Sequence, residues 1–221
     1  MARTLLERNL AGVQEEMLVM ADMVEGAIQR SITALKNRDV ELARQLIADD
    51  ARINRKRYDT EERCIELIAT QQPLAGDLRT IVAVLHMNVD LERMGDHAEG
   101  IAKIVVMLAD EPPLKPYVDL PRMADIASEM LRDAIEAFKR RDADLARSAM
   151  NRDDEVDALY DQVYRELLTY MLNDPRTIER ATRLLWVAHN LERIADRVTN
   201  VCERVAYLVT GKMEELNVSK Y

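Results

Sequence analysis

The sequence predicts an all-α protein: two similar three-helix bundles, six helices in all, produced by an internal duplication. Three observations carry this. Gly and Pro number only six each in 221 residues and aromatics make up 4%. The chain is therefore poor in turn formers and strand residues, while Ala, Leu, Arg, Glu and Met, good helix formers, abound. Apolar residues recur at intervals of three and four over long stretches. Finally, segments return: Ala34–Arg44 is matched by Ala137–Arg147 at an offset of 103 positions, and Asp90–Gly100 by Asn190–Asn200 at an offset of 100.

The elements follow in order. Leu6, Leu10, Val13, Met17, Met20, Val24, Ile28, Ile32 and Leu35 mark a helix over 6–36. Asn37-Arg38 breaks it, and Asp39 can cap the next helix by accepting unpaired N–H groups of its first turn. That helix runs to about Thr70, where Gln71-Gln72-Pro73 stops it. A third helix reaches about Ala109. Residues 110–121 hold four of the six prolines and read as an extended linker. The duplication then predicts helices over 122–140, 142–172 and 175–210. Asn173-Asp174-Pro175 is the last internal turn and Gly211 the final cap. The domain organisation is a first repeat over 1–110, a Pro-rich linker over 111–121, a second repeat over 122–211 and a frayed tail over 212–221. Short turns imply antiparallel neighbours. The pattern leaves open whether the repeats form two bundles or share one core.

A net charge of −9 and a pI near 5.0 argue against a nucleic-acid binder. Arg52/Arg55-Lys56-Arg57 and Lys139-Arg140-Arg141 are short basic clusters that read as solvated helix faces or a docking patch. Cys64 and Cys202 are far apart and suit small core positions in a reducing compartment. The N-terminus has no signal-peptide apolar region, and the longest apolar run, Ile104–Ala109, is too short to span a bilayer. A cytoplasmic protein is expected, at most peripheral to the membrane.

The chemistry concentrates in the repeated Leu-Glu-Arg-apolar-small-Asp kernel. Glu92 and Asp96 are four apart, as are Glu192 and Asp196. On a helix that spacing stacks two carboxylates about 6 Å apart at Cβ, and like charges so placed repel. The arrangement asks for a neutralising partner, either the adjacent Arg93 or Arg193, or a metal ion. Asn88, Glu92, Asp96 and Glu99 form a stripe bordering the apolar face; Glu192, Asp196 and Asn200 repeat it. Asp50 and Asn54 in the second helix match Asp153 and Asp157 in the fifth, and the first helices share Asp22 and Asp125. Pairs on adjacent helices can enclose cations, and oxygen donors alone suit hard ions. No Glu-x-x-His of the ferritin type precedes His86, His97 or His189. No nucleotide loop, catalytic triad or reactive-cysteine setting is present either, so no enzyme is expected.

Gln72-Pro73-Leu74-Ala75-Gly76-Asp77-Leu78-Arg79, Asp90–His97 and Asn190–Arg197 together resemble the PhoU family of phosphate-signalling proteins, over essentially the whole chain. The resemblance implies two three-helix bundles with multinuclear metal sites of oxygen ligands, holding divalent or trivalent ions such as iron, manganese, magnesium or zinc. By position the ligands are Asp50, Asn54, Glu92 and Asp96, then Asp153, Asp157, Glu192 and Asp196. It also implies a regulator that restrains the phosphate ABC transporter, through its ATPase, and a phosphate-sensing histidine kinase. Such a protein would reach the membrane only through these partners, as a monomer or homodimer. Asn54 for Asp157 and Gly100 for Asn200 are departures that weaken the first site. The competing readings are a carboxylate-cluster enzyme or metal store, and a metal-free helical adaptor.

Overall fold

The computed structural model describes residues 2–212. Its elements are α1 (Ala2–Asn37), α2 (Val40–Gln71), α3 (Ala75–Met107), α4 (Asp119–Arg140), α5 (Ala143–Met150), α6 (Asp153–Asn173), a 3-10 turn (Pro175–Thr177) and α7 (Ile178–Thr210). No strand occurs among the described residues. The predicted tail, beyond Lys212, lies outside them.

Helix ends follow their residues. Asp39 Oδ1 accepts from the Leu42 N–H at 2.9 Å, and Asp142 Oδ1 from the Asp144 and Leu145 N–H groups, both at 3.0 Å. Before each cap the chain turns through a left-handed arginine, Arg38 (φ 56°) or Arg141 (φ 55°). Gly211 (φ 72°) closes α7 in the same conformation at no steric cost. Asp174 accepts from the Arg176 N–H, with Pro175 beginning the 3-10 turn.

Two boundaries differ from the sequence expectation. The helix expected over 142–172 is broken at Asn151-Arg152 into α5 and α6. At the matching place in α2 stands Ala48, the best helix former, whereas Asn151 is a poor one. The acids Asp153, Asp154 and Glu155 then favour a fresh N-terminus, where the helix dipole attracts negative charge. And α4 starts at Asp119, inside the expected linker. Pro121 fits its first turn because the N–H it lacks has no intrahelical acceptor there.

The rest of the linker is fastened down. Arg38 donates to the carbonyls of Ala109 and Glu111, both at 2.8 Å, and Arg180 to that of Pro112 at 3.0 Å. Glu111 pairs with Arg180 at 3.1 Å and Arg183 at 3.4 Å. Lys115, buried, sets its amine on the Glu166 carboxylate.

The two repeats share one continuous apolar core. Its spine is the antiparallel pair α3 and α7, the most extensive interhelical contact in the molecule. Asp90 of α3, only 9% exposed, accepts from Arg197 at 3.3 Å and Asn200 at 3.1 Å of α7. The repeat-related pair is His97 of α3 with Asn190 of α7, 2.9 Å apart. A Cβ on Gly100 would lie 3.2 Å from Asn190 Oδ1, so glycine lets that amide sit against the α3 backbone. Burial raises the Asp90 carboxyl above its usual range, partly offset by these donors. Removing the acceptor leaves a guanidinium and an amide poorly paired. Asp90→Ala should therefore cost roughly 2 kcal/mol in urea unfolding, and Asp90→Asn, which keeps a carbonyl, clearly less. Equal losses for both variants would contradict this role.

Candidate metal centre

The eight residues singled out from the sequence fall into two grooves, one between α2 and α3, the other between α6 and α7. In the first, Asp50 stands against the α3 backbone at Gly95, where an added Cβ would lie 3.6 Å from Asp50 Oδ1 and 3.2 Å from Ile53. Asn54 donates to Asp50 Oδ2 at 2.7 Å. The Asp50 carboxyl is raised above its ordinary value, first by burial, then by the charges of Glu99 and Asp96, with a smaller contribution from Glu92. Asp50 therefore feels three acids of α3 across the groove. Glu92 is only 8% exposed. In the second groove Glu192 is pushed up from 4.5 to about 7, first by burial, then by Asp196, with Asp157 adding from α6 and Arg193 opposing. Asp153 is buried in the first turn of α6. The rings of Tyr160 and His189, 6.4 Å apart, sit across the same groove.

The motif arginine is the resident counter-ion in both. Arg93 lies 3.5 Å from Glu92 Oε2 and 3.1 Å from Asp96 Oδ2. Arg193 repeats this at 3.3 Å from Glu192 Oε2 and 2.7 Å from Asp196 Oδ2. The neutralising arginine is thus real, though exposed pairs of this kind stabilise little. It leaves work undone: Asp50 Oδ1, Asn54 Oδ1, Glu92 Oε2 and Glu192 Oε2 are buried and make no hydrogen bond. Buried oxygens that make no hydrogen bond, two of them held by a longer ion pair to the motif arginine, fit a hard cation. In their present rotamers, however, no three His, Cys, Asp or Glu among the described residues converge to hold one.

Two further side chains matter: Arg57, read from the sequence only as part of a basic cluster, and Asn88, read only as part of the polar stripe. Arg57, one turn beyond Asn54, lies 3.7 Å from Glu92 Oε1. Its counterpart at the 103 offset is Tyr160, so the signal was in the alignment. Asn88 donates to the Arg57 carbonyl at 2.8 Å, fixing the turn that carries Arg57. One expectation fails. Asn200 is no part of the second groove but faces α3, on Asp90. Eight residues past Glu192 the helix has turned a further ~80°, so the Gly100/Asn200 difference belongs to the spine and does not weaken the first site. Asp22 lies apart from the motif acids, lining a cavity with Asp50.

The PhoU domain model matches residues 17–105 and 120–205. The chain belongs to the PhoU family. It is 46% identical, over 94% of both chains, to the phosphate-specific transport system accessory protein PhoU homolog of Aquifex aeolicus. Its identity to the Clostridium acetobutylicum homolog is 38%, covering 98% of this chain and all of that one. The crystal structure of PhoU from Pseudomonas aeruginosa superposes with a TM-score of 0.89 at 37% identity, covering 93% of this chain and 99% of that one. The phosphate transport system regulatory protein PhoU from Streptococcus pneumoniae gives 0.88 at 31% identity, with 95% and 99% covered. The PhoU fold, all-helical and duplicated, is thereby shown for this chain.

Glu192 gives a pH signature. Its folded value, about 7, lies above the ordinary 4.5, so the folded state holds its proton longer than the unfolded chain. Its contribution to stability is full below about pH 4.5 and lost as pH rises to about 7. In metal-free protein, Glu192→Gln should remove that decline and gain of the order of 1 kcal/mol near pH 8, discounted for partial solvent screening. Urea unfolding of both proteins across this range checks it; parallel stability–pH curves would contradict it.

Proposed function

We propose that this chain is a non-enzymatic, metal-binding regulator of phosphate uptake and phosphate-starvation signalling. It restrains a phosphate ABC transporter through its ATPase and keeps a phosphate-sensing histidine kinase quiet when phosphate is plentiful. The observation that carries the reading is the 46% identity, across 94% of both chains, to a protein named as a phosphate-transport accessory protein. The relatives named above are accessory or regulatory proteins, which supports a role by binding and not by turnover. Among the described residues no helix is long and apolar enough to cross a membrane. That agrees with action from the cytoplasm through membrane-bound partners.

Asp50, Asn54, Glu92 and Asp96 would hold one cation group, and Asp153, Asp157, Glu192 and Asp196 the other. A bound hard cation supplies positive charge that offsets carboxylate repulsion and ties neighbouring helices together. The protein's own part is to place the donors: two i, i+4 pairs on antiparallel helices in each groove, with one oxygen layer already buried. Iron, manganese and magnesium suit this all-oxygen set; zinc, which favours nitrogen and sulfur, suits it less.

Deleting the gene in its own organism should raise a phosphate-starvation reporter under phosphate-replete growth, and the intact gene should restore repression. Restoration by a copy carrying Glu92→Ala, Asp96→Ala, Glu192→Ala and Asp196→Ala would confine the metals to bracing the fold. A deletion strain with unaltered reporter activity, and no second copy, would overturn the regulatory reading.

A further inference from the structure

The second groove carries a donor that the first lacks. His189 Nδ1 lies 3.5 Å from Glu192 Oε2, three residues further along α7. His189-x-x-Glu192 is Glu-x-x-His in reverse, and i, i+3 neighbours meet in either order. On a helix, positions 189, 192 and 196 fall within about 60° of one another, so an imidazole and two carboxylates share one face. Glu192 in turn feels the charges of Asp196 and, from α6, of Asp157. The donors are not sealed off: the His189 side chain is 49% exposed and that of Asp196 33%. An ion therefore reaches them from solvent.

The first repeat supplies the comparison. At the 100 offset His189 is matched by Val89, an exposed apolar residue. At the 103 offset Tyr160, whose ring lies 6.4 Å from that of His189, is matched by Arg57, 3.7 Å from Glu92 Oε1. At this level of the two grooves the first presents a valine and a fixed cation. The second presents an imidazole and a neutral phenol.

An imidazole changes what a carboxylate groove prefers. Carboxylates alone suit magnesium, calcium and manganese, whereas imidazole draws zinc, iron and nickel. We infer that His189 is a ligand of the second groove and makes it selective for a borderline divalent ion of the zinc type. The first groove, with Val89 in that place, stays all-oxygen and keeps to hard ions. The inference rests on the metal reading proposed above and adds the class of ion that one of the two grooves takes.

The test uses the full-length protein stripped of metal, with two readouts. The first is imidazole ¹⁵N NMR, simple to assign because the chain has three histidines, His86, His97 and His189. Zn²⁺ should shift the His189 ring nitrogens saturably and leave those of His97, set against Asn190 in the spine, in place. The second is calorimetric titration with Zn²⁺ and with Mg²⁺, in a Glu92→Gln, Asp96→Asn background that silences the first groove. His189→Val copies the first repeat at an exposed position of α7 and should leave the melting temperature nearly unchanged. It should weaken Zn²⁺ binding by at least the ~tenfold typical of a lost partner at a metal site, and Mg²⁺ binding by less than about twofold. Zn²⁺ binding that Asp196→Asn abolishes, but that leaves the His189 nitrogens unmoved, overturns the inference while the metal reading stands. So does an equal weakening of Zn²⁺ and Mg²⁺ by His189→Val. No Zn²⁺ binding that depends on Glu192 and Asp196 overturns both.

Discussion

The antiparallel pairing of α3 with α7 is the constraint on which the rest depends. Both helices come from the ends of their repeats and carry the same kernel, so the pair meets with approximate twofold symmetry. Asp90 with Arg197 and Asn200 is answered by Asn190 with His97 and the open position at Gly100. Once these faces are buried against each other, each helix has one shoulder left for its own repeat. The motif acids lie on that shoulder. The helices α2 and α6 cover it, and so two acidic grooves arise at related positions from one packing decision. The polar pairs within the spine fix its register, since a slide of α3 along α7 would leave Asp90 buried without donors.

Much of this was legible in the sequence. The 3.6-residue periodicity located the helices, Asp39, Asp174 and Gly211 located their ends, and the repeated kernel located both acidic grooves. What escaped was set by local or tertiary competition. The break at Asn151 depends on one weak helix former beside three acids, which a periodicity reading spans without noticing. Asn200 was assigned to the wrong neighbour because an i, i+8 spacing rotates by most of a quadrant over two turns. The Pro-rich stretch looked like a loose linker, but Arg38, in the turn after α1, and Arg180 of α7 hold its carbonyls, and Arg183 of α7 pairs with its Glu111. No local pattern announces such long-range donors.

The duplicated halves have diverged in charge, and the divergence is consistent. The first groove has Asn54 where the second has Asp157, and Arg57 near Glu92 where the second has the neutral Tyr160. It therefore carries one more fixed cation, while Glu99, whose counterpart is Thr199, makes up for the acid missing at Asn54. The second groove lacks that cation, which fits a Glu192 carboxyl raised to about 7. A cation has more to gain at the second groove, where it meets Arg193, than at the first, where it must compete with both Arg93 and Arg57.

The central proposal is that the two grooves, created by one helix pair, bind cations unequally. Anomalous diffraction at the manganese edge, from crystals of the full chain grown with Mn²⁺, tests it most directly. The account expects a strong peak among Asp153, Asp157, Glu192 and Asp196, and a weaker peak or none among Asp50, Asn54, Glu92 and Asp96. A stronger peak at the first groove, or manganese bound only elsewhere on the molecule, would contradict it.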